Sequence, residues 1–385
     1  MAHYEIFEER IDENVEALKL AFGWVDEFDW IRFKPAYSVK TNFTPMIIRR
    51  FHEKGFLIEV VSDMEVEIAM MAGIPMRHIV YNGPMKGELA GIVALKGGIL
   101  CFDSLDDLTH RNYQKGTKCM FRVAVNVGNG VDTRFGSRPD EIRGLIEAAI
   151  EKGYKPVGIH CHVTRARDLE SWSRKIDAMA DVYARVKDLL IDEGIVDFGG
   201  NMYSPMTVEK RAEYDDYAGY VDYSKLFQSK AALFKGATLM LEMGTSIVSN
   251  CMNFVANVMS IKHTDENTYV LLDASRYHLG WATDRYNFQM NVHRTDESKD
   301  IEHVEGAELV GMLCTEGDYL YRGFTGDIAV GDAVEFLNVG AYTIGVKPPF
   351  IVPHDEAIYV YGDGKLKLAK TEETCQDVMR TYSWR

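Results

Sequence analysis

The sequence predicts an α/β protein, a parallel (β/α)8 barrel over residues 30–262 followed by a smaller β domain. Two observations carry this. Short apolar runs alternate with longer helix-like stretches from about residue 30, and after about residue 262 strands follow one another without long helices between them. A doubly wound open sheet would give the same alternation, so spacing alone leaves closure of the sheet open.

The eight runs are IRFKPAYSV, GFLIEVV, HIVYN, GILCF, CMFRVAVNV, PVGIHCHV, GIVDFGG and ATLMLEMG. Each is short, carries few charges and is bounded by Gly, Pro or a polar residue, as a strand covered on both faces should be. Between them, SDMEVEIAMMAG and SWSRKIDAMADVYARVKDLLIDEG are amphipathic. The second is expected to start at a capping serine, Ser171, and to end at Gly194. TYVLLDA, GAELVGMLC, DAVEFLNVG and AIYVYG supply the later strands. The acidic stretch Glu8 to Leu18 reads as a helix whose domain the pattern does not assign. No internal repeat, low-complexity segment or obvious linker interrupts the chain.

The 385 residues exceed what one hydrophobic core usually accommodates, which favours two domains. With 43 basic against 58 acidic residues the net charge is -15, which argues against broad nucleic-acid or anionic-membrane binding. No apolar run approaches the ~20 residues needed to span a bilayer. The acidic start MAHYEIFEER lacks the pattern of a secretory signal, so a cytoplasmic location is expected. The six cysteines are scattered without a C-x-x-C pair, and free thiols are expected over a disulfide framework.

In a barrel, chemistry sits at the C-terminal ends of the strands. Lys40 follows AYSV; it reads either as a lysine leaving a strand for solvent or as an amine that condenses with an aldehyde cofactor. His160 and His162 flank Cys161, and at i and i+2 of a strand both rings could face inward, as a metal pair or against a planar cofactor. No acidic or cysteine ligand cluster accompanies them at recognisable spacing, and no metal is expected. Asp197-Phe198-Gly199-Gly200-Asn201 reads as a turn, or as a loop whose N–H groups approach a phosphate. Glu242 ends LMLE, where it is a salt-bridge partner or a carboxylate opposite a protonated pyridine nitrogen. Cys314 lies in GMLCTEGD, with Asp318 four residues on, and alone reads as a packing residue.

The order of these segments resembles the fold-type III pyridoxal-phosphate decarboxylases, the group of diaminopimelate and ornithine decarboxylases, over nearly the whole chain. AYSVKTN is similar to that family's Y-A-x-K-A-N segment, which implies that Lys40 is the Schiff-base lysine. EVVSDMEVEIAMMAGIPMRHIVYNGPMK, CFDSLDDL and FRVAVNVGNGVDTRFG follow in the family's order. GIHCHV resembles G-x-H-x-H and implies that His162 stacks on the pyridine ring. DFGGN is similar to the phosphate loop, with Gly199 and Gly200, and EMG to E-P-G, whose glutamate (here Glu242) pairs with the ring nitrogen. GMLCTEGD resembles G-P-x-C-x-x-x-D, whose cysteine crosses a dimer interface to protonate substrate, and GAYT resembles the segment whose tyrosine, here Tyr342, contacts the phosphate. The resemblance therefore implies pyridoxal 5′-phosphate as cofactor and a barrel of alanine-racemase type. It further implies a β domain built from both chain ends (1–29 and 263–385), and a homodimer with shared active sites.

Three departures from the family bear on function. E-P-G-R reads Glu242-Met243-Gly244-Thr245, so the usual arginine near the phosphate is missing. The segment after the stacking histidine is Val163-Thr164-Arg165, and Arg165 is expected to restore part of that positive charge. Thr315, with Glu316 one further along, stands where relatives acting on diamino acids place an acidic residue. Arg276, His278 and Arg285 cluster in SRYHLGWATDRY, where relatives carry substrate-binding residues; Glu316 and Asp318 complete the expected substrate set. Basic groups there suit an extra carboxylate, as in an N-acylated or citryl-linked diamino acid of siderophore type. The expected reaction is amino-acid decarboxylation. The alternatives are a racemase (whose family places arginine at the ring nitrogen and uses a tyrosine as second base), a non-catalytic regulator, and a metal hydrolase built on His160 and His162.

Overall fold

The computed structural model describes residues 1–23, 32–206, 208–282, 287–353, 356–362 and 364–383. The chain forms two compact units, residues 13–247 and residues 1–12 with 248–385.

In the first unit, eight parallel strands close into a barrel: Arg32–Ser38, Leu57–Val60, Ile79–Tyr81, Ile99–Phe102, Lys118–Arg122, Lys155–His160, Ile195–Asp197 and Thr238–Met243. Six lie within the apolar runs, and Lys118–Arg122 and Lys155–His160 each begin one residue before theirs. Closure comes from pairing of the first strand with the eighth, from Arg32 opposite Thr238 to Tyr37 opposite Met243, and this excludes the open-sheet alternative. Ala36, Leu57, Val80, Ile99, Cys101, Met120 and Met240 form a buried cluster contributed by six of the strands. Because all strands are parallel, the residues that follow Ser38, His160, Asp197 and Met243 emerge at the same end, where a barrel builds its sites.

Local capping explains one helix boundary that the sequence misplaces. The long helix runs Leu169–Val186, and its cap is Asp168, whose carboxylate accepts the Ser171 N–H at 2.7 Å. Ser171 thus sits in the first turn. Two short 3-10 turns, Lys187–Leu189 and Ile191–Glu193, separate the helix from Gly194, which adopts a left-handed φ of 78°. Elsewhere Ser62 caps Asp63–Met71 as a serine should, accepting from Glu65 N at 3.3 Å.

The second unit is a nine-stranded sheet. Its main path runs Tyr319–Ile328, Glu302–Val310, Thr268–Leu272, Met252–His263, His3–Phe7, Ala357–Gly362, Lys365–Lys370, and Ala333–Phe336 joins Met252–His263 to Met290–His293. The chain passes between units at 12/13 and 247/248, not at 29/30 and 262/263. The reason is pairing. Met252–His263 falls almost wholly inside the expected barrel bounds, yet it hydrogen-bonds to His3–Phe7 and Ala333–Phe336 and so belongs to the sheet. Conversely, helix Glu8–Phe22 is divided, with residues 8–12 counted in the sheet unit and 13–22 in the barrel unit. No helix among the described residues is long and apolar enough to cross a membrane.

Candidate active site

Lys40 occupies the short turn Val39–Thr41 directly after the first barrel strand. Its Nζ lies 2.6 Å from Oε2 of Glu59, which comes from the neighbouring second strand and is fully buried. Burial pushes the Glu59 carboxyl up, the Glu242 and Glu65 charges add to this, and Lys40 opposes it. The amine is therefore held at the barrel mouth by a hydrogen-bonded, water-excluded partner.

Glu242 is the penultimate residue of the eighth strand and is buried. Asn82 Nδ2 donates to its Oε1 at 3.1 Å, and His160 Nε2 lies 3.2 Å from its Oε2. Burial works to raise this carboxyl, but His160, Lys40 and His162 outweigh it and hold Glu242 well below the usual range. Asp197, from the end of the seventh strand, completes the cluster; one ligating atom each of His160, Asp197 and Glu242 lies within 4.8 Å of the others. The strand that carries His160 ends there, so the i, i+2 rule does not extend to His162. The His160–His162 pair expected of a metal hydrolase is accordingly split between two environments.

His162 Nδ1 accepts the Gly200 N–H at 3.2 Å, which places the proton of the neutral ring on Nε2. Burial first, then the Lys40 charge, drives its pKa down to about 3, so the ring is neutral at physiological pH and suited to lie against another flat ring. The Gly199 N–H is also engaged, by Asp197 Oδ1 at 2.8 Å. These two amides are not left over for an anion, contrary to the expectation from DFGGN. The glycines serve close approach instead. A Cβ at Gly199 would stand 2.6 Å from the Cys161 carbonyl and 2.8 Å from His162 Nδ1, and one at Gly200 would stand 2.5 Å from the Glu242 carbonyl. Asn201, third in the loop, adopts φ 79°, which asparagine tolerates. Arg165 is exposed, with φ 53°, and its carbonyl and that of Thr164 accept from Asn129 Nδ2 at 3.2 and 2.8 Å.

Beside His162 opens a hollow lined by Arg122, Arg134, Phe135, Thr133, Val131 and Thr164 among others. The guanidinium carbons of Arg122 and Arg134 lie 4.6 and 4.0 Å from the Phe135 ring centroid. Arg122 is also 3.9 Å from Asp103. Two planar cations fixed against one aromatic ring present donors suited to a carboxylate.

The remaining expected residues belong to the sheet unit. Cys314 is exposed and, with Thr315, Glu316, Asp318, Tyr319 and Tyr269, lines a second hollow. Asp318 has a structural task. It is buried, and its carboxylate accepts the backbone N–H groups of Arg276 (2.8 Å) and Leu313 (2.9 Å), pinning the loop that carries Cys314. Arg276 donates in turn to the Gly317 carbonyl at 3.2 Å. His278 also leaves the substrate-facing set. It is buried and stacked on Phe254 at 4.7 Å, with Nδ1 2.9 Å from Ser275 N and Nε2 against Lys347 and Glu356. Tyr342 has φ 55°, and its carbonyl occupies the space a Cβ on Gly280 would need, which joins the two loops the sequence singles out. Arg285 lies outside the described residues.

The His278–Lys347–Glu356 cluster yields a stability prediction. Burial raises Glu356, but His278 and Lys347 outweigh it and bring the carboxyl down to about 2. An unfolded glutamate titrates near 4.3, so this contribution is present above roughly pH 4.3 and lost as pH falls toward 2. Glu356→Gln is expected to lower the thermal midpoint at neutral pH and to flatten its fall across that acid window, measured by circular-dichroism melts.

Comparison with known proteins decides the family. Residues 10–249 match the model described as "Pyridoxal-dependent decarboxylase, pyridoxal binding domain". The chain belongs to this family. A diaminopimelate decarboxylase of Methanothermobacter thermautotrophicus is 27% identical, covering 98% of this chain and 90% of that protein. An L-glutamyl-[BtrI acyl-carrier protein] decarboxylase of Niallia circulans is 24% identical, over 89% and 86%. Among solved structures, diaminopimelate decarboxylase from M. jannaschii in co-complex with L-lysine superposes with TM-score 0.85 at 22% identity, covering 100% of this chain and 92% of that one, and shows the same fold. The enzyme is thus a pyridoxal-phosphate-dependent amino-acid decarboxylase, a carboxy-lyase, and the racemase, regulator and metal-hydrolase alternatives fall away.

The residues present fit the cofactor. The barrel mouth offers an amine, a neutral imidazole, a buried anion and a loop stripped of side chains where a Cβ would collide. Glu59 and Asn82 were not among the residues expected from the sequence, and Asp197 was noted only as the start of the DFGGN loop. A charge inside LIEV and a polar residue ending HIVYN were the available signals, since an ionisable group in a buried strand demands a partner.

Proposed function

We propose that the substrate is an amino acid bearing a carboxylate besides the one that is lost, of which an N-acylated or citryl-linked diamino acid is one instance. The observation that supports this is the paired Arg122 and Arg134 over Phe135, in a hollow that His162 also lines. A guanidinium pair recognises a carboxylate bidentately and repels a distal ammonium. Diaminopimelate, the substrate named for one relative, carries such a second carboxylate and agrees with this reading.

Held by the residues at the barrel mouth, the cofactor would supply an aldehyde for the substrate amine and a ring that serves as electron sink for loss of carbon dioxide. Lys40 would hold it covalently and yield to the substrate. His162 would pack against one face of the ring, and Glu242 would hold a proton at the ring nitrogen. Arg165 and Tyr342 would meet the phosphate. Cys314 of a second copy, in a homodimer, would return a proton to the α-carbon, with Lys40 able to do the same.

Carbon dioxide release should be screened with meso-diaminopimelate, L-glutamate, L-ornithine and L-lysine. Turnover confined to ornithine and lysine contradicts the proposal. Arg134→Gln is expected to raise KM for the acidic substrate about 10-fold or more with a smaller change in kcat, the scale of one hydrogen bond to a charged group. Arg165→Ala is expected to weaken apparent cofactor affinity by about 10-fold, read by reconstitution of visible absorbance; unchanged affinity refutes a phosphate role.

A further inference from the structure

Asp197 is fully buried, and its two oxygens have different surroundings. Oδ1 accepts the Gly199 N–H at 2.8 Å. Oδ2 has no donor among the described residues, although it is shut away from water. The titratable groups around it are Glu242 on the eighth strand, His160 on the sixth, Glu59 on the second, Cys101 on the fourth, Cys161 just past the sixth, and Lys175 from the long helix. Lys175 is occupied elsewhere, donating to the Phe198 carbonyl at 3.1 Å. Glu242 meanwhile accepts from Asn82 at one oxygen and has His160 Nε2 beside the other, with Lys40 adding a favourable charge.

Two buried carboxylates with oxygens within 4.8 Å repel each other when both are ionised, and a single proton held by the pair relieves this. The donors around Glu242 decide which keeps the charge. We propose that Asp197 is a neutral carboxylic acid that donates its Oδ2 proton to Glu242, and so acts as the positioning residue that keeps Glu242 anionic and aimed at the cofactor's ring nitrogen. A proton on Oδ2 satisfies the orphan oxygen and removes the repulsion in one step. Burial and the Glu242 charge both push the Asp197 carboxyl far up, in agreement. The Gly199 N–H on Oδ1 ties this acid to the loop that supports His162, so the anion and the stacking ring share one scaffold. The proposal rests on the reading that Glu242 serves the ring nitrogen.

The test compares Asp197→Asn with Asp197→Leu in the holoenzyme. The amide mimics the protonated acid in shape and can still donate, whereas leucine cannot. Turnover should fall less than about 10-fold in Asp197→Asn and about 10- to 100-fold in Asp197→Leu, with KM little changed in both. Infrared difference spectra of the wild type should show a protonated carboxyl band that Asp197→Asn lacks. The alkaline change in the visible spectrum that follows loss of this proton should disappear in Asp197→Asn. If Asp197→Asn is as damaged as Asp197→Leu, or the carboxyl band is missing from the wild type, the acid is ionised and the proposal is wrong. The infrared arm needs no variant, so misfolding of Asp197→Leu leaves the outcome decided. Glu242→Gln separates the two claims. If it leaves spectrum and turnover intact, the ring-nitrogen reading has failed; if it disables the enzyme while Asp197→Asn also does, only the neutral-acid proposal has failed.

Discussion

Replacing Lys40 by alanine is expected to abolish the visible absorbance of the holoenzyme and to lower turnover on the order of 10³-fold or more. Lys40 has two duties in the proposed reaction, holding the cofactor and moving a proton, and general acid–base work alone contributes about 10²–10⁴-fold. The fold should survive. The side chain is partly exposed and its partner Glu59, already shifted upward by burial, can take up a proton once the lysine is gone. Unchanged cofactor absorbance and turnover in purified Lys40→Ala would remove the lysine from the chemistry.

The second large effect is expected at Glu242. Glutamine preserves shape but removes the charge that keeps the ring nitrogen protonated, and kcat should fall by about 10²–10³-fold, the scale of deleting one preorganised electrostatic group. Asn82, which donates to Oε1, can still donate to the amide oxygen, so stability should change little by comparison. A normal kcat with raised KM would instead make Glu242 a substrate contact.

The barrel was legible because each of its strands is a self-contained apolar run, and parallel strands covered on both faces must read that way. Closure was not legible, since the pairing of Arg32–Ser38 with Thr238–Met243 is a contact between distant segments. The barrel bound at residue 262 missed for the same reason, since the pairing of Met252–His263 with His3–Phe7 and Ala333–Phe336 joins distant segments. The order of motifs led to Lys40, His162 and Glu242, each of which the structure places at the mouth of the barrel unit. What the sequence concealed is direction. His278 and Asp318 stand in suggestive loops, yet one points into a buried cluster and the other clamps backbone amides. The Gly199 and Gly200 amides likewise look available from DFGGN, until Asp197 and His162 are seen to accept from them. Glu59 and Asn82 were hidden because their partners, Lys40 and Glu242, lie on other strands.

The most direct test of the central claim is the visible absorbance of the purified holoenzyme before and after borohydride, followed by peptide mass mapping. A visible band that reduction removes, leaving the mass of the cofactor on the peptide that contains Lys40, is the expected result. A protein that stays colourless and unmodified after incubation with pyridoxal phosphate, or that carries the label on another lysine, would contradict it.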